Sequence, residues 1–555
     1  MLMFGMMMIM LSSFNLKTMK EVKEMYRISM MLLLQIMVML YDSMELDFMN
    51  KGMSMYNDML MMTSYTKIME LMMLMMTMLY MYVMKEYMMS TNNVSTKNMQ
   101  SGLHKLLMVL LINMLGMMLF MQWNNSMVMF MTLELQSYTM YIMCTLFTKS
   151  YNSTKSGLLY FLLGSVGSMM VLFGLTLLYS EMGLLNMNDM SNMYNNGSLA
   201  YLSYGSSYNN MMLGYMFMMM GLLFKMGTWP FHNWLINMYA NTPTMMTMWM
   251  SMMTKISMLT VLYTMMSNSS NALLGYVSQT FNNGDGSLSI INSMPLLLGM
   301  MSLFSMMFGA FGGLGQFTIK RMMGYSGLVN SGYFMFMMLS NNNSTLSTYM
   351  FNMYQYSLTH MVWFMLMLVN GLYYSNNKML NKLYNKNGST KWMKTTMNLS
   401  YVKDLYGYLF MNPYVGFCYM IVLSSLIGMP PLTGFYAKYY MLLTGMNSSY
   451  LFLSMMVLLS SSLTAYYYLF MIKNLMMTDN NGSEVNSIIN MWKSVKLTSN
   501  NTSTGGAHVA QMTPMLSMLM STIIMMIIGM TMGLDMANNG THMVESYYMD
   551  GAQYV

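Results

Sequence analysis

Apolar stretches of roughly twenty residues, separated by short polar segments, recur from one end of the chain to the other. At about 1.5 Å per residue such a stretch crosses roughly 30 Å of hydrocarbon as a helix. The pattern predicts about fourteen of them, at 1–14, 28–41, 66–84, 104–122, 127–147, 157–180, 211–239, 244–267, 294–312, 322–340, 354–373, 413–446, 450–472 and 513–534. The expected fold class is an all-α polytopic membrane protein, and no stretch is left over for a separate globular domain.

Charge tests the count, because Lys and Arg concentrate in loops on the cytoplasmic or matrix side. With the N terminus outside, the loops after odd-numbered helices face inward. These carry most of the cations, including Lys17, Lys20, Arg27, Lys85, Lys149, Lys320, Arg321, Lys403, Lys473 and Lys496, whereas the opposite loops hold only Lys51 and Lys67. The opposite side is acidic instead, with Asp42, Asp58, Glu181, Asp189 and Asp285 among its residues. A helix missed in mid-chain would scramble this partition, so an even count with both termini outside is expected.

Composition agrees: 55% of residues are hydrophobic and 8% charged, against about 25% charged in soluble domains. Cys144 and Cys418 cannot supply the four thiolates of an iron–sulfur cluster. There is no Gly-rich nucleotide fingerprint, no His pair at metal-ligand spacing and no nucleophile elbow, so redox chemistry is expected on another chain. No nucleic-acid partner is expected. Met is exceptionally abundant, at 103 residues, where membrane helices usually draw on Leu, Ile and Val. Met is tolerated in apolar cores, and the bias, with the many Asn and Tyr, fits an AT-rich mitochondrial genome that reads AUA as Met. The stretch 1–14 shows neither a signal peptide's charged leader nor an Arg-rich transit pattern, so synthesis inside the organelle without cleavage is expected.

Four charges remain inside predicted helices: Glu134, Lys225, Lys255 and Lys438. An ion at mid-helix costs on the order of 2.5–3.5 kcal/mol even on lenient insertion scales, so each needs a partner, a wet cavity or a function. Two of them lie in interrupted helices. Pro230 follows Lys225 in FKMGTWPFHNW, and Pro430 and Pro431 precede Lys438 in GMPPLTGFYAKYY. Proline removes a backbone donor and disturbs the carbonyl a turn earlier. Each break alone is open to reading as a plain kink; a broken helix beside a buried charge, twice, is a transport signature. The helices from 104 to 267 and from 294 to 472 form two units of five, each with its break in fourth place. Five is odd, so the second unit enters the membrane inverted. Four segments result: 1–103, 104–267, 268–472 and 473–555, the last containing the final helix and tail.

Lysine suits a relay because burial favours its neutral amine and a nearby carboxylate favours its ammonium. Lys225 with Glu134 is therefore the expected switchable pair. His232, seven residues past Lys225, and His360, on the helix before Lys438, are either relay groups or hydrogen-bonded structural histidines. Tyr325, Ser326, Asn330 and Tyr333 either hold ordered water or serve polar helix packing.

The motifs TLELQSYTMY at 132–141, GLLYFLLGSVGS at 157–168, FKMGTWPFHNWLINMYANTPT at 224–244, IKRMMGYSGLVNSGY at 319–333, DLYG at 404–407, GMPPLTGFYAKYY at 428–440 and LTAYYYL at 463–469 resemble the antiporter-like subunits of respiratory NADH:ubiquinone oxidoreductase, complex I. Within them, LELQS and a lysine at 438 resemble subunit 2 in its mitochondrially encoded fungal form. The resemblance implies proton translocation through Glu134 and Lys225 as coupled pair, Lys255 as central carrier and Lys438 at the far end. It also implies a mitochondrial inner-membrane location, with other membrane-arm subunits, neighbouring antiporter-like subunits and membrane lipids as partners. No cofactor is expected in this chain; NADH, FMN, iron–sulfur clusters and ubiquinone belong elsewhere in such a complex. Leu159 stands where bacterial relatives often have lysine, and Asn330 where many have histidine, so two titratable groups are missing. A cation/proton antiporter unlinked to NADH is the competing reading, and a static structural subunit a third.

Overall fold

The computed structural model describes residues 19–44, 52–91, 100–146, 150–190, 206–282, 293–340, 345–376, 401–405, 408–411, 413–448, 450–477 and 514–529. Expected helix 1–14 lies outside them, as do most of the 474–511 loop and the tail after 529. Helices dominate the described residues: α1 Met19–Met44, α2 Ser64–Thr91, α3 Gln100–Met121, α4 Ser126–Thr145, α5 Tyr151–Met182, α6 Ser206–Met226, α7 Asn233–Asn241, α8 Thr244–Asn282, α9 Ser293–Leu314, α10 Ile319–Leu339, α11 Thr345–Asn376, α12 Pro413–Ile427, α13 Thr433–Asn447, α14 Leu451–Met476 and α15 Pro514–Gly529. A short 3-10 turn, Val402–Leu405, precedes α12.

Five described stretches are long and apolar enough to cross a membrane: Glu24–Ser43, Ser64–Lys85, Tyr151–Met182, Pro295–Leu314 and Leu451–Met476. The central helices α8 and α11 fall short in hydropathy for a structural reason. They carry buried Thr247, Ser251, Lys255 and Ser257 on one and Asn352, Ser357, Thr359 and His360 on the other. These two helices pack together at the heart of the bundle, α8 touching α2, α3, α4, α6 and α10 as well. The interior admits polar groups among its apolar side chains, where the exterior, facing hydrocarbon, has to be apolar.

Two helix pairs approach most extensively, α5 with α6 and α9 with α10. Glycine makes both possible. A Cβ at Gly221 would come within 2.8 Å of the Gly167 carbonyl and 2.9 Å of the Val171 nitrogen, and one at Gly309 within 2.9 Å of the Val329 nitrogen. Membrane helices lack a hydrophobic drive towards each other and depend on such close backbone approach. Gly221→Val is therefore expected to cost about 1–3 kcal/mol or more by overpacking, read as a lower melting temperature of the purified protein.

Both predicted interruptions are real gaps between helices. The span 211–239 divides into α6 and α7, and 413–446 into α12 and α13. In each the helix stops at a glycine in the left-handed region, Gly227 at φ +71° and Gly428 at φ +87°, ahead of a cis peptide at Trp229–Pro230 or Pro430–Pro431. Glycine takes that conformation without a Cβ clash and ends a helix.

Two features differ from expectation. The loop before α2 contains a hairpin, Met53–Met55 paired with Leu60–Met62, turning through Tyr56, Asn57 and Asp58, all at positive φ. It is tied to the α3–α4 connection by the Met61 amide donating to the Gln122 carbonyl and the Asn124 side chain donating to the Asp58 carbonyl. Two alternating three-residue Met-rich strands give no period strong enough to stand out from their surroundings. In addition, Lys67 belongs not to an outer loop but to α2, where it is 1% exposed and donates to Ser43. With it comes Glu70, also 1% exposed and accepting a hydrogen bond from Gln122. Four charges were too few: Lys67, Glu70 and Lys320, which donates to the Thr242 carbonyl, are also drawn into the bundle. A long aliphatic stem near a helix end leaves the sequence silent on which way the cation turns.

Candidate functional site

Lys225 sits in the last turn of α6. Beyond it the chain turns out of the helix, the Gly227 amide donating to the Phe224 carbonyl and the Thr228 amide to the Leu223 carbonyl. These bonds satisfy carbonyls that any helix end leaves without a partner, and a cation there complements the negative end of the helix dipole. The Lys225 ammonium donates to Glu134 Oε1 at 3.0 Å, with side chains 5% and 15% exposed. Glu134 Oε2 accepts from Ser137 Oγ at 3.3 Å. The expected pair is therefore an ion pair bridging α4 and α6, and among the described residues it is the one ion pair that is shielded from solvent.

A side-chain network holds α4 in place. Asn113 of α3 donates to the Gln136 carbonyl and to Thr139 Oγ1, and accepts from Trp249 Nε1 at 2.8 Å. Gln136, two residues after Glu134, donates to Ser257 Oγ, two residues after Lys255, at 3.0 Å. Helix α4 is thereby registered against α8 near both charges. Buried side-chain hydrogen bonds of this kind rigidify the elements that carry them.

Lys255 is 3% exposed. Its ammonium donates to the Gly327 carbonyl at 2.7 Å and stands 5.3 Å from the centroid of the Tyr356 ring. A Cβ on Gly327 would lie 2.7 Å from that nitrogen, so the glycine makes the room. Lys225 and Lys255 face one cavity between α6, α7 and α8, lined also by Tyr160, Trp234, Tyr239 and Thr254. The space open to a water's centre there is about 10 Å³, close to what one water needs.

His360 is 1% exposed and lies against Tyr356, the ring centroids 4.2 Å apart and the planes tilted by 43°. Neither of its ring nitrogens has a hydrogen-bond partner among the described residues. His232 is half-buried, packs against Phe308 of α9 and does not line the cavity, because the chain break turns it off the α6 face. Lys438 lies apart from the cavity as well. Its ammonium donates to the Ile427 carbonyl at 2.7 Å and the Leu426 carbonyl at 3.3 Å, the free end of α12. Leu159 is 36% exposed on the outer side of α5. No group of three or more His, Cys, Asp or Glu able to hold a metal occurs among the described residues.

Two broken helices, an internal ion pair and Lys438 lodged at the carbonyl end of α12 mark a membrane chain with charges built into its interior. Residues 123–281 and 285–464 match the family described as NADH:quinone oxidoreductase/Mrp antiporter, transmembrane region, and the chain belongs to that family. It is 31% identical to NADH-ubiquinone oxidoreductase chain 2 of Wickerhamomyces canadensis over 60% of this chain and 54% of that relative, about half the relative's length. To the protein of the same name from Rhizopus oryzae it is 27% identical over 78% of this chain and 77% of the other. In fold it is similar to a chain of respiratory complex I from Thermus thermophilus with bound aureothin, with a TM-score of 0.68, 17% identity and 97% of each chain covered.

Proposed function

We propose that this chain is a proton-translocating membrane-arm subunit of NADH:ubiquinone oxidoreductase, of the chain 2 type, in the mitochondrial inner membrane. The observation that carries the reading is the cavity lined by both Lys225 and Lys255, with Lys225 held by Glu134. A proton entering there has two amines to bind, and a change in the Glu134 contact alters how firmly the first holds it. Glu134 and Lys225 act as coupled pair, Lys255 as central carrier and Lys438 as the distal group, with His360 and His232 as candidate relays. The redox work belongs to partner subunits carrying FMN and iron–sulfur clusters between NADH and ubiquinone.

The same proposal includes fourteen spans, both termini in the intermembrane space, and two inverted five-helix units, 104–267 and 268–472, flanked by 1–103 and 473–555. The recurrence of a glycine-ended, proline-containing gap in the fourth helix of each unit supports it.

The test is mild solubilisation of the source membranes, separation on a native gel, staining for NADH dehydrogenase activity and mass spectrometry of the stained band. Peptides of this chain in the large NADH-oxidising band are the expected result. Peptides confined to a small band without that activity, together with sodium- or potassium-dependent proton exchange, would instead identify a cation/proton antiporter.

A further inference from the structure

We propose that Lys320, at the start of α10, is a positioning residue: by holding the joint between α7 and α8 it sets both the wall of the lysine cavity and the seat of Lys255. The proposal rests on the proton-translocating reading above and adds a residue that does not itself line the cavity.

Helix α7 has nine residues, too few to be stable as a helix by its own hydrogen bonds. It nevertheless supplies four of the side chains that line the cavity, Trp234, Leu235, Met238 and Tyr239. Its placement has to come from contacts outside it. At its start no side chain caps the first turn, and Trp229, in the gap before it, packs against Phe304 and Phe308 of α9 at 4.4 and 5.7 Å between ring centroids. At its end Thr242, 1% exposed, turns back on the helix, its amide and hydroxyl both donating to the Met238 carbonyl. Pro243 follows, with no amide hydrogen, and its carbonyl accepts from the Thr247 amide of α8. The Thr242 carbonyl therefore sits in the joint between the two helices. Lys320 donates to it at 2.7 Å, which puts a cation at the carbonyl end of α7.

Lys320, Gly324 and Gly327 are spaced by four and three residues, so they share one face of α10. A Cβ at Gly324 would stand 3.6 Å from Ile236 Cα and from the Tyr239 ring; α7 lies against that face through a glycine. Two turns beyond Lys320, the Gly327 carbonyl accepts from the Lys255 ammonium at 2.7 Å. One face of α10 thus holds the α7–α8 joint, the body of α7 and the ammonium carried by α8. A lysine near a helix end can turn to an unpaired carbonyl and do nothing more. Here the carbonyl it takes connects the wall of the cavity to the helix bearing its second lysine. Without the cation the joint is free to draw away from α10, taking Trp234 and Tyr239 out of the wall and Lys255 out of line with Gly327.

The experiment uses the assembled complex carrying Lys320→Met or Lys320→Arg, with Arg321→Met, an exposed neighbour, as control. Native gels report the amount of complex. Sealed vesicles report protons moved per NADH oxidised, a ratio that a loss of stability alone leaves unchanged. Placement is read separately in a chain carrying Ile236→Cys and Gly324→Cys, positions within disulfide reach of each other, by following with mass spectrometry how fast a mild oxidant joins them. Expected in Lys320→Met are slower cross-linking and a fall in pumping of about twofold or more, well inside the roughly hundredfold that a misplacement of about 1 Å can cause. Lys320→Arg, which keeps a donor cation, and Arg321→Met are expected to pump normally. Full pumping in assembled Lys320→Met, while Lys255→Met loses pumping, overturns the role of Lys320 and leaves the subunit's function standing. An equal loss in Lys320→Arg, or cross-linking as fast as with Lys320 in place, also overturns it. Full pumping in Lys255→Met overturns the function itself. If Lys320→Met fails to assemble, Gly324→Val decides, because it keeps the lysine and lifts α7 off the same face: reduced pumping supports the proposal and full pumping overturns it.

Discussion

Lys225→Met is expected to abolish proton translocation per NADH, or cut it about tenfold or more, while the complex still assembles. Methionine is unbranched like lysine, one atom shorter, and at home in an apolar helix, and its γ-methylene meets Gly167 as lysine's does. What disappears is the ammonium at 3.0 Å from Glu134. With it goes the cation that lines the cavity shared with Lys255, the group proposed to bind the translocated proton. Removing one partner of a shielded ion pair leaves the other without its counter-charge, which is costly. The measurement is dye-detected acidification in sealed vesicles, scored against NADH oxidation and against the amount of assembled complex on a native gel. Undiminished pumping in the assembled variant would sink the role of Lys225.

Gly434→Ala is expected to remove the chain from the assembled complex. A methyl at position 434 would coincide with the Ser425 carbonyl oxygen, which is backbone and cannot step aside. The two halves of the second broken helix would have to part, and Lys438, one turn further along α13, would lose the Leu426 and Ile427 carbonyls together. Overpacking against side chains costs about 1–3 kcal/mol; against backbone on both helices the cost is larger. Gly315→Ala is the control, with nothing within 4 Å of the added carbon, and is expected to assemble normally. Normal assembly of Gly434→Ala would mean that α12 and α13 need not meet at this point.

The spans that face hydrocarbon were legible in sequence because lipid demands uninterrupted apolar side chains, as in 157–180, which lies within α5. Glu134 with Lys225 was legible for a related reason: an ion is rarely tolerated in an apolar run without a partner. Lys67 and Glu70 were not legible as buried groups. They lie near the start of α2, where a charge is equally at home in water, and only Ser43 of α1 and Gln122, which they meet in the folded chain, remove that option. Likewise, His232 seemed to continue the Lys225 face at a seven-residue spacing; the turn at Gly227 sends it towards Phe308 instead.

Sequence by itself determined that this is a multi-spanning helical membrane chain with two interrupted helices and a few charges that require neighbours. Burial in hydrocarbon imposes these constraints residue by residue, and so writes them in composition and spacing. Tertiary structure alone decided what those charges meet. In the sequence, Lys225 precedes its break and Lys438 follows its own, which made the two halves look unlike. In space the two differ in partner as well: the Lys225 ammonium leaves the last turn of α6 for Glu134 on α4, whereas the Lys438 ammonium reaches back from α13 to the carbonyl end of α12. Spacing along a chain cannot encode those partners, because they depend on how helix segments fold back across a gap and on whether a long, flexible side chain meets a carboxylate or the free carbonyls of a helix end.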